Sequence, residues 1–342
     1  MKKIIYLIMS LLGVMMFNLQ LFANELQTTL LAGLSAEMKT FYDMTLIDEA
    51  QANLVHDQFG QKRPIPKNGG KTIEFRKFAA LAKATTPLTE GVTPDGKGLT
   101  VSTTTATVAQ YGDYITQSDV LELASLDNTI LEATKLLGRQ AGLTLDTIVR
   151  NVLQSGNNVT YCPKVAADGS ETAVTSRSGL DATCQLTVKV LQQVVAKLRA
   201  QNAPTINGKY VAIIHPYVAY DLMRDPEWQD AHKYCKPENM YEGEIGEIAG
   251  IRFVQTSEAK IYSGGVFGTL VFGEGAYGVT EITGGGLQTI VKQKGSAGTA
   301  DPLDQRSSVG WKAIKTAELL SPQYLVRVES KSAVFSGTAA EN

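Results

Sequence analysis

Cysteine is scarce in this sequence, with only three copies among 342 residues: Cys162, Cys184 and Cys235. They lack the spacing of a metal site or of a redox motif, which argues against both kinds of site. We therefore expect reduced cysteines with a structural role. A bridge between Cys162 and Cys184 is expected only if the protein is exported.

Histidine is equally scarce, and its three copies, His56, His215 and His232, are far apart in the sequence. They do not match H-E-x-x-H or a similar spacing, so we predict no zinc site. His215 follows a predicted buried strand, where we expect a hydrogen-bonded histidine in the core or at its boundary. His56 and His232 stand in polar surroundings, and we expect both to be exposed.

The sequence also has no excess of charge of one sign. Lysine and arginine total 32 against 34 acidic residues, which gives a formal net charge of -2. A protein that grips nucleic acid through its phosphates normally carries a basic stripe, and none is visible. The apolar content of 44% and the charged content of 19% are those of an ordinary globular protein. At this length the chain can form one large or two ordinary domains.

The N-terminus carries two lysines followed by an apolar run at 4–17. This order is typical of a secretory signal, and the run is too short to span a membrane comfortably. Leu21 is bulky where cleavage after Ala23 would require a small side chain. Translation from Met16 is the second interpretation, with the upstream residues an artefact of gene prediction. Both interpretations begin the fold after Ala23.

The stretch Pro64–Asp119 is rich in threonine, glycine and turn-forming residues. Apolar and polar residues alternate around Ile73 and again around Leu99, with turn sequences at 86–87 and 93–96 between them. This pattern predicts an extended two-stranded arm with too few apolar residues to bury itself. Because an isolated hairpin is marginal in water, we expect the arm to lie across a neighbouring molecule.

The strongest helical pattern runs from about Asn128 to Leu153, with apolar residues at intervals of three and four. At 1.5 Å per residue this helix is about 40 Å long. Asp127 is the predicted N-cap of this helix, and Asp119 is the predicted N-cap of a shorter segment before it. Gly138 and Gly142 lie one turn apart in the helix, and each costs about 1 kcal/mol relative to alanine. We expect another element to approach the helix closely there.

The rest of the chain mixes predicted helices and strands. The segment 25–60 is mostly helical, and the polar stretch 155–180 predicts a loop or an irregular hairpin. Residues 183–201 predict a helix, and residues 309–317 are expected to be helical or extended. Strands are predicted at 210–214, 251–254, 266–272, 289–291 and 324–328.

Two patterns have the residue types of a chemical site. Gly273–Gly278 spells G-x-G-x-x-G, but a dinucleotide site requires a helix after these glycines, and the residues that follow predict a strand and a turn. We therefore predict a structural turn. A cluster of carboxylates could be read as a glycosidase pair, but no spacing selects two of them, and a solvated loop is expected. The cluster consists of Asp225, Glu227, Asp230, Glu242, Glu244 and Glu247.

Short strings in a fixed order run through most of the chain after Ala23. They are FGQ (59–61), PIPKNGGKTI (64–73), TTPLTEG (85–91), QYGDY (110–114), HP (215–216), RDPEW (224–228), DPLDQR (301–306) and VGWK (309–312). Each string is weak alone, but their order is specific. It resembles the major capsid protein of tailed phages, and more narrowly the branch named for the N-four-type coliphages.

The resemblance implies an α+β fold of the Hong Kong 97 capsid type. Such a fold has an N-terminal arm, an extended β-hairpin called the E-loop, a peripheral domain with a long spine helix, and an α/β axial domain. The implied divisions are a leader at 1–23, the arm at 24–62, the E-loop at 63–118, the peripheral domain at 119–179, the axial domain at 180–283, and a return to the peripheral domain with the tail at 284–342.

The resemblance also implies a structural, non-enzymatic function without cofactor, metal or catalytic residues. Many copies would assemble as pentamers and hexamers into an icosahedral phage or prophage shell that encloses double-stranded DNA without sequence-specific binding. The implied partners are further copies of the chain and portal and scaffolding proteins, and no membrane contact is implied. The implied location is the capsid of the virion, and assembly is expected in the host cytoplasm. Seven residues are predicted to contact neighbouring subunits: Arg63, Lys67, Arg76, Lys77, Pro87, Glu90 and Asp95.

Three alternatives remain open at this point. An exported bacterial surface protein is supported only by the leader and by a bridge between Cys162 and Cys184. A nucleotide-dependent enzyme would rest on 273–278 and would require a helix after Gly278. An encapsulin-like compartment protein would share the capsid fold.

Overall fold

The computed structural model describes residues 44–50, 54–79, 81–93, 95–125, 129–166, 168–235, 246–296 and 301–342. The leader, the predicted cap Asp127 and most of the predicted arm lie outside these residues. Besides a helical segment at 44–50, the helices are α1 (Asp119–Ala124), α2 (Thr129–Gln154), α3 (Val188–Ala200), α4 (Pro216–Met223) and α5 (Pro226–Cys235).

The strands of the described residues are numbered in chain order. The first eight are β1 (Gln61–Lys62), β2 (Thr72–Phe78), β3 (Val101–Thr107), β4 (Ala109–Ser118), β5 (Val159–Tyr161), β6 (Lys164–Val165), β7 (Glu171–Thr172) and β8 (Tyr210–Ile214). The others are β9 (Glu247–Ile248), β10 (Ile251–Gln255), β11 (Ile261–Tyr262), β12 (Val266–Phe272), β13 (Tyr277–Glu281), β14 (Gln288–Lys292), β15 (Arg306–Leu319) and β16 (Leu325–Lys331).

Strand β15 is the centre of a five-stranded sheet. Its residues 306–315 pair antiparallel with β4, while β14 and β13 pair with it at 308–312 and 315–319. Strand β1 completes the sheet by pairing parallel with β13. Val309, Trp311 and Ala313 are buried at every second position and pack against α2. This alternation decides between the two predictions for 309–317: the segment is extended.

A seven-stranded sheet forms the second layer, in the order β5-β16-β12-β8-β10-β9, with β11 on β12. Strand β8 is buried at all five positions because both of its faces are covered. Its residues Tyr210, Ala212 and Ile214 share a core with α3, whereas Val211 and Ile213 pack with the C-terminal part of α2. The predicted strands at 210–214, 251–254 and 266–272 are confirmed.

The sequence predicts the last strand but not the sheet to which it belongs. Strand β16 lies antiparallel to β12 and also pairs with β5, so residues 325–331 belong to the sheet of β8 rather than to that of β14 and β15. Local alternation shows that a segment is a strand, but it carries no information about a partner more than fifty residues away. The domain boundaries themselves stay a prediction.

The spine helix predicted from the sequence is confirmed as α2, which has 26 residues. The helical segment 44–50 crosses it at the two glycines. A Cβ atom at Gly138 would lie 2.8 Å from the carbonyl oxygen of Leu46, and one at Gly142 would lie 2.5 Å from that of Ala50. The expected close approach therefore exists, and the approaching element is the described part of the predicted arm.

The expectation that His56 is exposed is wrong. Its side chain is fully buried, and its Nδ1 lies 2.6 Å from Oδ2 of Asp146 on α2. The other carboxylate oxygen of Asp146 accepts hydrogen bonds from the backbone N–H groups of Val55 and His56 at 2.9 and 2.7 Å. The polar sequence around His56 misled the prediction because its partner is 90 residues away. The side chain of His232 lies outside the described residues.

Three helix caps refine the sequence predictions. Ser118, rather than Asp119, caps α1, because its hydroxyl accepts from Leu121 N–H while Asp119 is the first helical residue. Thr187 caps α3, which begins five residues later than predicted. His215 caps α4 by accepting from Tyr217 N–H through Nδ1 at 3.1 Å, which confirms a hydrogen-bonded histidine. Burial lowers the pKa of His215 and so favours the neutral form that this bond requires.

Cys162 and Cys184 are both buried and free, which confirms the reduced, structural interpretation for these two residues. Burial raises the pKa of the Cys162 thiol, so its reactive thiolate form is disfavoured. The side chain of Cys235 lies outside the described residues.

Replacing Gly142 by alanine tests the contact between the spine helix and the segment 44–50. Alanine is the better helix former, by about 1 kcal/mol, but its methyl group would overlap the Ala50 carbonyl. We expect Gly142→Ala to lower the free energy of unfolding by about 1–3 kcal/mol, as overpacking does. The control is Gly96→Ala, where nothing lies within 4 Å of the new Cβ. Equal stability of both variants in denaturant titration would contradict this contact.

Candidate assembly surface

The hairpin of β2 and β3 is anchored at its base. The two strands pair along their full length from Thr72–Thr107 to Phe78–Val101, as the alternating sequence predicts. Phe75 is buried, and its ring lies over Gly278, where a Cβ would come within 2.9 Å of the ring carbons. The Val108 N–H donates to the Lys71 carbonyl at 2.9 Å, and β4 then continues into the five-stranded sheet. The base of the hairpin is therefore part of the folded subunit.

Beyond this base, the hairpin is not covered by its own subunit. We name residues 78–101 the hairpin tip; its described residues between 79 and 100 form no helix or strand. The tip contains six large apolar side chains, which are exposed by 45% to 76%. They are Phe78, Leu81, Leu88, Val92, Leu99 and Val101. Such a concentration of exposed apolar groups is typical of an interaction site, and complete burial of a fully exposed side chain of this kind is worth about 1.5–3 kcal/mol.

The seven predicted contact residues do not form one cluster. Arg63, Arg76 and Lys77 line a common groove of about 460 Å³ at the base of the hairpin. Lys67 is exposed on a turn in the segment that leads into β2. The remaining three are exposed in the hairpin tip: Pro87, Glu90 and Asp95.

Lys77 contacts its own subunit. Its Nζ donates a hydrogen bond to the Ser321 hydroxyl at 2.7 Å and lies 4.9 Å from the centre of the Tyr324 ring. Arg76 is exposed and lies 3.8 Å from Glu74, an exposed ion pair that contributes little to stability. Lys77 therefore supports the hairpin base, whereas Arg76 is accessible to another molecule.

A second exposed apolar surface was missed by the sequence interpretation. Helix α1 has no buried residue, although Val120, Leu121 and Leu123 are large and apolar. Leu303, in the loop before β15, is exposed as well. We name these four residues the α1 patch. The signal was present in the sequence, since four of the six residues of DVLELA are apolar, but the segment is too short to show which of its faces is buried.

The turn sequence and two of the carboxylates that suggested chemistry have structural roles. After Gly273–Gly278 the chain continues as strand β13 and not as a helix, which confirms the predicted turn and removes the nucleotide-site interpretation. Asp225 accepts hydrogen bonds from the N–H groups of Val188 and Glu227, and Glu247 pairs with Lys209. Glu242 and Glu244 lie outside the described residues. Within the described part of the chain, no three His, Cys, Asp or Glu side chains are grouped as metal ligands would be.

A sequence model of the family described as phage capsid protein matches residues 100–328, about two thirds of the chain. The chain belongs to the phage capsid protein family. As a major capsid protein of this family, it forms the icosahedral shell of a phage head. No curated protein sequence matches it.

Solved structures show the capsid fold. The capsid of the cyanophage P-SCSP1u aligns with a TM-score of 0.64 and 14% identity, covering 90% of this chain and 94% of that one. The capsid of the cyanophage Pam1 aligns with a TM-score of 0.62 and 12% identity over 91% and 97% of the two chains. A virus-like particle from Pyrococcus furiosus aligns with a TM-score of 0.50 and 10% identity over 86% and 100%. The expected α+β fold of the Hong Kong 97 type is confirmed.

No helix among the described residues of this capsid protein has both the length and the apolar character needed to cross a membrane.

Phe75 and Phe78 form a matched pair that separates folding from assembly. They lie three residues apart on β2, with exposures of 5% and 61%. We expect Phe75→Ala to lower the free energy of unfolding by about 3 kcal/mol, as truncation of a packed phenylalanine does. Phe78→Ala should leave the stability of the unassembled subunit within about 0.5 kcal/mol of the original. Chemical denaturation measures both, and an equal loss in the two variants would contradict the described boundary between base and tip.

Proposed function

We propose that the hairpin tip of each capsid subunit is covered by a neighbouring copy, and that this contact joins subunits into the pentamers and hexamers of the shell. The single observation that carries the proposal is the exposure of six large apolar side chains on a hairpin whose base is firmly packed. Rings of identical subunits require two different surfaces on each copy. A tip that its own subunit leaves uncovered supplies one of them.

The base of the hairpin supports this role because it fixes the direction of the tip. Phe75 packs on Gly278 and Lys77 binds Ser321, so strands β2 and β3 leave the body at a defined place. A tip on such a support loses less conformational freedom when it binds than a free loop would. Arg63, Lys67 and Arg76 lie exposed around this base, and Glu90 and Asp95 at the tip. We propose that these charges set the register between neighbours more than the affinity.

The role we propose is structural and not enzymatic, and the enclosed cargo is double-stranded DNA. The formal net charge of -2 supports a shell that encloses DNA without clamping its phosphates. Portal and scaffolding proteins as partners, assembly in the host cytoplasm, and membership of the N-four-type branch are parts of the same proposal. They rest on the ordered strings of the sequence, such as PIPKNGGKTI at 64–73 and DPLDQR at 301–306. The division into E-loop, peripheral and axial domains is proposed on the same basis.

The exported-protein alternative loses one of its two supports, because Cys162 and Cys184 are free. Its other support, the leader, lies outside the described residues. The encapsulin-like alternative shares the fold, and the family match at 100–328 favours the phage shell.

Removing the tip tests the proposal. Deleting Thr86–Gly98 shortens a segment whose described residues make little contact with the body, so the subunit should stay folded while closed particles are lost. Thermal unfolding of the subunit and electron microscopy of the assembly reaction measure the two effects. A full-length control, Thr86→Ser with Thr89→Ser, should form particles. Unfolding of the deleted subunit, or normal particles from it, would contradict the proposed role of the tip.

A further inference from the structure

The α1 patch is held against its own subunit by two contacts, although its apolar side chains face solvent. The Asp119 N–H donates to the Gln305 carbonyl at 3.0 Å, and Glu122 pairs with Lys294 at 2.9 Å. These contacts fix α1 beside the loop that contains Leu303. The four apolar residues of the patch are nevertheless exposed by 48% to 83%. A six-residue helix is too short to be stable alone, so its fixed position and uncovered apolar surface together indicate a docking site.

The patch and the hairpin tip lie at opposite ends of one stretch of strand. Strands β3 and β4 run from Val101 to Ser118 with a single interruption at Val108. The tip ends at Val101, and α1 follows Ser118 directly. At about 3.3 Å per residue, these 18 residues span at most about 60 Å. These two exposed apolar surfaces therefore lie at opposite ends of the stretch 101–118.

A head-to-tail contact between copies requires such a placement. In a closed ring each subunit presents one surface forward and a different surface backward. The charged side chains around the tip and the α1 patch are compatible with contact between these two surfaces. Lys83 and Lys97 in the tip and Asp304 beside the patch are exposed, and Asp119 is half-buried; none of the four forms an ion pair within the described residues. Lysines of one copy can therefore face carboxylates of the next around an apolar centre.

We infer that the α1 patch, consisting of Val120, Leu121, Leu123 and Leu303, is the surface that receives the hairpin tip of the neighbouring copy. This inference rests on the proposed function, because it names the partner surface of the tip. It assigns α1 a role in assembly that its short sequence does not reveal.

Cysteine cross-linking tests the pairing directly. Three double variants of the full chain are needed. Each combines Leu123→Cys with one substitution in the tip: Leu81→Cys, Leu88→Cys or Leu99→Cys. We expect at least one pair to give a ladder of covalent multimers on oxidation of assembled particles, since each copy would be linked to the next. The control pairs use Val334→Cys, a comparably exposed site on the C-terminal segment, and should give no ladder. The inference would be overturned if every Leu123→Cys pair formed particles but gave no ladder, or if the control pairs gave equal ladders.

A charge substitution gives a second readout that does not require cross-linking. Leu123→Glu should leave the thermal unfolding of the isolated subunit unchanged, because the residue is exposed, and should raise the concentration needed for assembly at least tenfold. Val334→Glu should assemble normally. If Leu123→Glu assembles normally while deletion of the tip prevents assembly, the receiving surface is elsewhere and the proposed function stands. If the tip deletion also assembles normally, the proposed function itself fails.

Discussion

The structure depends on one constraint: the apolar side chains of the hairpin tip cannot be covered by the subunit that carries them. The pairing of β2 with β3 satisfies the backbone of the two strands, but the irregular tip between them meets no layer of its own subunit against which to bury Leu88, Val92 or Leu99. A protein that kept this surface in water would be prone to nonspecific association. We propose that assembly with a second copy resolves this conflict by covering the exposed apolar surface of the tip.

The rest of the fold gives the hairpin a rigid support. Strand β15 joins β4, β13 and β14 into one sheet, and α2 packs across its buried face. The segment 44–50 closes on α2 at Gly138 and Gly142, and the buried pair of His56 and Asp146 fixes the chain that follows. Because these contacts hold the subunit together without the tip, folding and assembly can be separate steps.

Much of this architecture could be predicted from the sequence because it is encoded locally. The repeat of apolar residues in α2, the alternation around Ile73 and Leu99, and the glycines at 138 and 142 each predict a feature that the structure shows. Contacts between residues distant in the chain could not be predicted in this way. His56 was expected to be exposed because its partner Asp146 is 90 residues away, and the pairing of β16 with β12 could not be predicted because β12 precedes it by more than fifty residues. The α1 patch was missed since six residues define no face.

Electron cryo-microscopy of shells assembled from this chain tests the central claim most directly. The account predicts that the side chains of Leu81, Leu88, Val92 and Leu99 lie within about 4.5 Å of apolar atoms of a neighbouring subunit. The opposite result would be a shell in which these side chains face solvent or fold back onto their own subunit.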